Sequence, residues 1–303
     1  TSRPKSTPLS QSKYLNTSFK SAAAKVYQSN GYETSFVYGG DLSWRNIGKF
    51  YPRQGFDNIY GKTAIANNLN LDKEAVSHEW GVFDEIGYKF VLEKLKNATE
   101  PQFIFLLTTN NHPPYNIPSW YESNSLEISK DLEKHLTKNN ELALKRFKDY
   151  AYALDSAGHF MDNIKSSDLN KNTIVAITAD NNTIEGMVRY KDYYNESKKI
   201  PFYLYLPSYL EKEYDIKIPG SHKDLFPTLY NTSLSNADYL SVGTDLADKS
   251  LLHCGFNKAG VIISKDGGFK IDTAESSFEK KCEEYYRAVL SISEYLLNEG
   301  KSK

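Results

Sequence analysis

Three short apolar runs restrict this chain more than any other feature. QFIFLLTT (102–109), NTIVAIT (172–178) and IPFYLYLP (200–207) have the length and content of strands buried on both faces. A stretch of helical period, about Asn139 to Ile164, separates the first two, and an earlier short strand, within ETSFVYGGD (33–41), runs into a Gly-Gly break. Strands that alternate with long helices describe an α/β fold with an open sheet, and in such folds ligands bind in the loops at the strands' C-terminal ends. The loops at 39–46, 108–115, 180–189 and 219–223 are therefore where a site is expected.

The remaining segments fill in around that sheet. Phe19, Ala22, Ala23, Val26 and Tyr27 recur at helical spacing, so a helix is expected from about Tyr14 to Asn30, with Gly31 at its C-terminus. Ser77 reads as the cap of a helix through about Lys96, on which Asp84 and Glu85 form a solvated face, and Ser221 opens another helix. Beyond Leu251, AGVIISKDGGFKIDT reads as a hairpin with Asp266-Gly267-Gly268 in its turn, followed by an amphipathic helix. The expected division is a polar linker or cut end at 1–13, a core at 14–251, and a hairpin-plus-helix appendage at 252–303 packed on that core.

Composition excludes more than it selects. Over 303 residues, 37 basic and 38 acidic side chains nearly cancel, with no basic block to mark a nucleic-acid binder. No run reaches the ~18 apolar residues of a membrane-spanning helix. The opening TSRPKSTPLSQSK lacks both an initiator Met and the order of a signal peptide, so a fragment or a processed form is expected. Cys254 and Cys282 carry no metal spacing, and a disulfide or two buried thiols fit equally well.

A few residues suit chemistry, each with a plainer alternative. His112 follows a strand end and precedes two prolines that hold its loop extended, which suits a phosphate or sulfate oxygen, or simply a surface imidazole on a stiff turn. His222 lies in the first turn of a helix, where an anion is favoured, although helix-start chemistry behind Ser221 explains it too. Asp180 at a strand mouth is a typical oxygen ligand for a divalent ion, or an Asx turn. Asp41, Trp44 and Arg45 follow the Gly-Gly break, where an Arg beside an aromatic holds a phosphate or packs against the ring. His78, His135, His159 and His253 read as surface or locally satisfied residues.

Taken in order, FVYGGDLSWRNIGKFYPRQGFDNIYG (36–61), HEWGVFDE (78–85), FIFLLTTNNHPPY (103–115), TIVAITADNN (173–182), IPFYLYLP (200–207), GSHKDLFPTL (220–229) and GTDL (243–246) resemble the lipoteichoic acid synthase family. Its members are phosphoglycerol transferases of the sulfatase and alkaline phosphatase superfamily. The resemblance covers roughly 15 to 250. It implies a sulfatase-like open sheet flanked by helices on both faces, and a metal-dependent transfer in which a Thr nucleophile takes the group from a phospholipid headgroup and passes it to a glycan or lipid acceptor. It implies a divalent metal, Mn²⁺ or Zn²⁺, and a position on the outer face of a bacterial cytoplasmic membrane, reached through an N-terminal membrane region. Asp180 matches a metal ligand, His112 a headgroup contact, and His222 the place of a His near the phosphate in related phosphoethanolamine transferases. Asp41, Trp44 and Arg45 fall in the loop that shapes the headgroup pocket.

Two features depart from the family pattern. The early acid and the Thr nucleophile would lie upstream of the helix-strand unit that opens this chain, and Asn181 stands where the family has His. An amide binds a transition metal far more weakly than imidazole, so activity is expected to be impaired or absent in the chain as it stands. Two alternatives accompany that reading: a sulfatase or phosphodiesterase that passes the group to water, and a non-catalytic domain that binds an anionic glycan or lipid headgroup. The C-x-P-x-R and S-x-P-x-R settings of free sulfatases are absent.

Overall fold

The computed structural model describes residues 7–123, 126–182, 187–189, 199–210, 212–257 and 259–299. They fall into two units. The first comprises the described chain up to Thr34, Arg45–Asp57 and everything from Leu210, and the second Ser35–Trp44 and Asn58–Tyr209.

In the first unit the N-terminal segment forms α1 (Ala23–Ser29), and α2 (Ile47–Phe50) follows later in the chain. The helix expected from Tyr14 is only its last two turns. Tyr14 and Phe19 instead leave the helix and join Phe50 and Leu297 in a small aromatic core of their own, so their helix-like spacing reports that core.

The second unit is built on β1 (Glu33–Tyr38) and β2 (Asn58–Tyr60), which pair in parallel with Phe36 opposite Ile59. Then come α3 (Lys62–Asn68), β3 (Ser77–His78), β4 (Gly81–Val82), α4 (Asp84–Lys96), β5 (Gln102–Leu107), α5 (Lys130–Glu133), α6 (Asn140–Lys165), β6 (Val175–Thr178) and β7 (Phe202–Tyr205). The strand order β2-β1-β5 makes one sheet, while β6 and β7 form an antiparallel pair, so the strands are mixed in direction. Val37 of β1, Ile65 of α3, Phe90 of α4, and Tyr152, Phe160 and Ile164 of α6 form the main core, with Ile104, Leu106, Val175 and Tyr205 packed against it from the strands. Along α6 the buried positions 152, 156, 160 and 164 recur every four residues, the stripe an amphipathic helix presents to a sheet. Asn139 starts that helix by accepting from the Leu142 N–H at 2.8 Å. Each fully buried large side chain contributes about 1.5–3 kcal/mol, which holds the helices on the sheet.

The segment from Ser77 corrects the expected helix. Ser77–His78 and Gly81–Val82 form an antiparallel hairpin, and α4 begins only at Asp84 behind Phe83. Gly81 is the reason: a Cβ there would stand 2.2 Å from the Gly39 carbonyl oxygen, so the chain comes closer to β1 than a helix allows. Asp84 is also not solvated, being 4% exposed.

The first unit resumes with α7 (His222–Ser233), β8 (Gly255–Phe256), β9 (Val261–Ser264), β10 (Gly267–Lys270) and α8 (Ser277–Glu299). Ser221 and Asp224 form a capping box at the start of α7. Asp224 also pairs with Lys223 at 2.6 Å, and the Lys223 ammonium lies 4.9 Å from the ring centres of both Phe256 and Tyr285. Register pairs Gly267 with Ser264, so the turn is Lys265-Asp266 and Gly268 belongs to the strand. Cys254 and Cys282 form a disulfide in a core with Ile262 and Tyr286, which ties the start of β8 to α8. Among the described residues no helix is long and apolar enough to cross a membrane.

Candidate functional site

Three segments of the second unit converge where β1 and β5 end. The Gly39 N–H donates to the Leu107 carbonyl at 3.1 Å, and the Gly39 carbonyl accepts from the Val82 N–H at 2.9 Å, so the Gly-Gly break is bonded to β5 on one side and to the hairpin on the other. A Cβ at Gly39 would stand 3.1 Å from the Thr109 side chain. The two glycine motifs of the sequence thus allow loops 39–44, 77–82 and 108–116 to meet.

His112 is exposed, and its ring lies 3.8 Å centre to centre from Trp80, whose indole N–H donates to the Pro113 carbonyl at 2.6 Å. Asn116 donates to the Glu79 carboxylate at 2.6 Å, a second tie between the hairpin and the loop. The Pro113-Pro114 peptide is cis. His78 packs against Phe83 and shares a hydrogen bond with the Thr109 hydroxyl at 3.2 Å, while burial lowers its pKa and favours the neutral ring. In the neighbouring loop Asp41 is exposed and accepts from both the backbone and the hydroxyl of Ser43, which holds its carboxyl below the usual range; Lys62 stands 4.0 Å away. Trp44 packs near Tyr38, with ring centres 5.9 Å apart.

Two buried acids hold this loop from below. One Asp84 oxygen accepts from the Thr109 and Asn110 N–H groups at 2.8 and 3.0 Å, and the Asn110 side-chain oxygen Oδ1 accepts from the Asp84 N–H at 2.9 Å. Asp149, 1% exposed, accepts from the Asn110 amide and the Asn111 N–H, both at 2.8 Å. Burial pushes the Asp84 pKa up to about 6, with the Asp149 charge adding to it, and burial also raises Asp149.

The other residues singled out in the sequence lie elsewhere in the chain. Asp180 and Asn181 are both exposed just past β6, and residues 183–186 of that expected loop lie outside the described residues. Arg45, with a left-handed φ of 47°, and His222, the first residue of α7, belong to the first unit. His253 is buried, with Nε2 2.8 Å from the Asp248 carbonyl, as a locally satisfied histidine should be. Among the described residues no group of three or more His, Cys, Asp or Glu is placed to hold a metal ion, so Asp180 with Asn181 does not by itself fit a metal centre. Sequence reasoning missed Trp80, Thr109, Asp84 and Asp149. The Gly81 break inside HEWGVFDE was the available signal for the first.

Comparison with known proteins fits this fold. Residues 12–233, well over half of the chain, match the sulfatase family, and the chain belongs to it. It is 24% identical over 243 residues to lipoteichoic acid synthase 1 of Bacillus subtilis (strain 168), an alignment that takes in 76% of this chain and 36% of the relative. It is 25% identical over 164 residues to phosphoglycerol transferase I of Citrobacter koseri, covering 51% of this chain and 19% of that protein. The crystal structure of the lipoteichoic acid synthase LtaP from Listeria monocytogenes superposes with a TM-score of 0.71 at 21% identity, over 96% of this chain and 75% of that one. The chain therefore spans about a third or less of the length of these curated relatives.

Proposed function

We propose that this chain belongs to a phosphoglycerol transferase of the cell envelope and that its second unit binds and orients the phosphoglycerol headgroup. The observation that carries the reading is the convergence of the Asp41–Trp44 loop and the His112 loop on the Trp80 hairpin at the ends of β1 and β5. An exposed imidazole on an aromatic support donates to a phosphoryl oxygen. A carboxylate held in its ionised form, as Asp41 is by Ser43, accepts from the glycerol hydroxyls. Trp44 supplies an apolar wall. His222 and Arg45 belong to the first unit and are given no part in this site.

Acid-base and nucleophilic steps are assigned to no described residue, because none of them matches the family's early acid or Thr nucleophile. When bound, a divalent metal in this family neutralises phosphoryl charge, and Asp180 is the residue of this chain that the resemblance offers to it. Donor phospholipid, glycan or lipid acceptor, and an extracytoplasmic position at a membrane are part of the same proposal. The Cys254–Cys282 disulfide supports an oxidising compartment. Asn181 favours a second reading, a domain that binds the headgroup without turning it over.

Calorimetric titration with sn-glycerol-1-phosphate, beside glycerol and inorganic phosphate, tests the headgroup site. Binding in about the millimolar range, weakened roughly tenfold or more by His112→Ala, is expected for a lost charge-assisted hydrogen bond. Equal binding by the variant, or none by either protein, refutes the site.

A further inference from the structure

Strands β1 and β2 run parallel and end side by side, so the turn that leaves β2, Gly61-Lys62, stands at the same edge of the sheet as the loop that carries Asp41. Gly40 is the point of contact. A Cβ at Gly61 would stand 3.2 Å from the Gly40 carbonyl oxygen, and one at Gly81 would stand 2.8 Å from the Gly40 Cα. The β2 turn and the Trp80 hairpin therefore both close on this residue. The Lys62 N–H donates to the Gly40 carbonyl at 2.9 Å, which fixes the root of the Lys62 side chain beside Asp41.

That side chain is 30% exposed, and its ammonium lies 4.0 Å from the Asp41 carboxylate. The distance is too long for a hydrogen bond, so charge attraction keeps the ammonium near the acid while its N–H donors stay open to a ligand. Lys73, a second base near Asp41, is engaged by Glu74 at 3.1 Å. The acids around the converging loops are Asp41 and Glu79, the latter accepting from Asn116. A phosphate brought to His112 meets both negative charges, and a neutral imidazole donates a hydrogen bond without adding positive charge. The site needs a cation that is not already spent.

We propose that Lys62 is the phosphate-binding cation of the headgroup site, its ammonium reaching the phosphoryl oxygens while Asp41 beside it takes the glycerol hydroxyls. The assignment rests on the headgroup reading of these loops and adds what selects the ligand, a phosphorylated glycerol over free glycerol. Lysine binds phosphate as a compact point charge on a flexible stem, which suits an ammonium held near an acid and not locked to it.

Inorganic phosphate and sn-glycerol-1-phosphate, titrated calorimetrically at an ionic strength of about 0.01 M into the parent chain, Lys62→Gln, Lys62→Arg and Asp41→Asn, test the assignment. Lys62→Gln is expected to weaken both ligands about tenfold, the loss of one charge-assisted hydrogen bond, and Lys62→Arg by no more than about threefold. Asp41→Asn is expected to tighten inorganic phosphate about two- to fivefold, because it removes a repelling charge and leaves the ammonium uncommitted. The two substitutions thus move phosphate affinity in opposite directions, whereas a purely structural ion pair, broken from either side, moves it the same way. All variants should keep the parent's midpoint in urea, since the Lys62 backbone bond to Gly40 and the Asp41 bonds to Ser43 do not need the charges. Phosphate affinity that His112→Ala lowers and Lys62→Gln leaves unchanged overturns the assignment and leaves the headgroup site standing. A weakening of inorganic phosphate by Asp41→Asn overturns it as well, and absence of binding by the parent chain removes both readings.

Discussion

Replacing Asp84 by Asn and by Ala separates what its charge does from what its oxygen does. The oxygen accepts from the Thr109 and Asn110 N–H groups, and both bonds persist if an Asn amide oxygen takes its place. Alanine leaves both donors without an acceptor in a buried setting, at about 1–3 kcal/mol each, so Asp84→Ala is expected to lie roughly 2–6 kcal/mol below Asp84→Asn at any pH. The charge acts in the opposite direction. Burial holds the folded-state pKa near 6, above the ordinary 3.8, so the native state binds the extra proton and this group's contribution to stability falls as pH rises from about 4 to about 6. The difference corresponds to a penalty of about 3 kcal/mol above pH 7 and about half that at pH 5.

Asp84→Asn removes that penalty. Relative to the parent chain it should therefore gain about 1.5 kcal/mol between pH 5 and pH 8, while Asp84→Ala stays well below Asp84→Asn at both pH values. Urea unfolding of the three proteins at the two pH values, followed by circular dichroism, measures the differences as midpoint shifts at constant slope. An Asn variant as unstable as the Ala variant would show that the charge itself holds the loop. An advantage that does not grow with pH would show that the carboxyl is not strained by burial. Either result refutes the account.

The disulfide closes a loop of 28 residues, for which chain entropy gives about 3–4 kcal/mol, so Cys254→Ser with Cys282→Ser should lower the first unit's unfolding midpoint in a calorimetric scan; an unchanged midpoint sinks that estimate. Asn181→His places an imidazole beside Asp180, and Zn²⁺ or Mn²⁺ affinity measured by calorimetry should rise by about tenfold or more; no gain would mean that the end of β6 is not the metal position the resemblance implies.

What could be read in the sequence depended on element length. The strands β5, β6 and β7 and the helices α6 and α7 are long enough for apolar period and capping residues to identify them, and the ordered motifs then pointed to the family. The hairpin at 77–82 has two residues per strand, too few to show alternation, and Ser77 imitates a helix cap. Nothing local distinguishes the acids at 84 and 149 from solvated ones, because their burial follows from where α4 and α6 pack. Yet that burial is informative. A fold needing only a core beneath residues 109–111 would place apolar side chains there, since an isolated carboxylate is costly to bury. Apolar groups cannot accept from the N–H groups of Thr109, Asn110 and Asn111, and these three donors define the path of the chain into His112. The two acids are thus best explained by the loop they hold, at a cost in stability that the Asp84 variants measure directly.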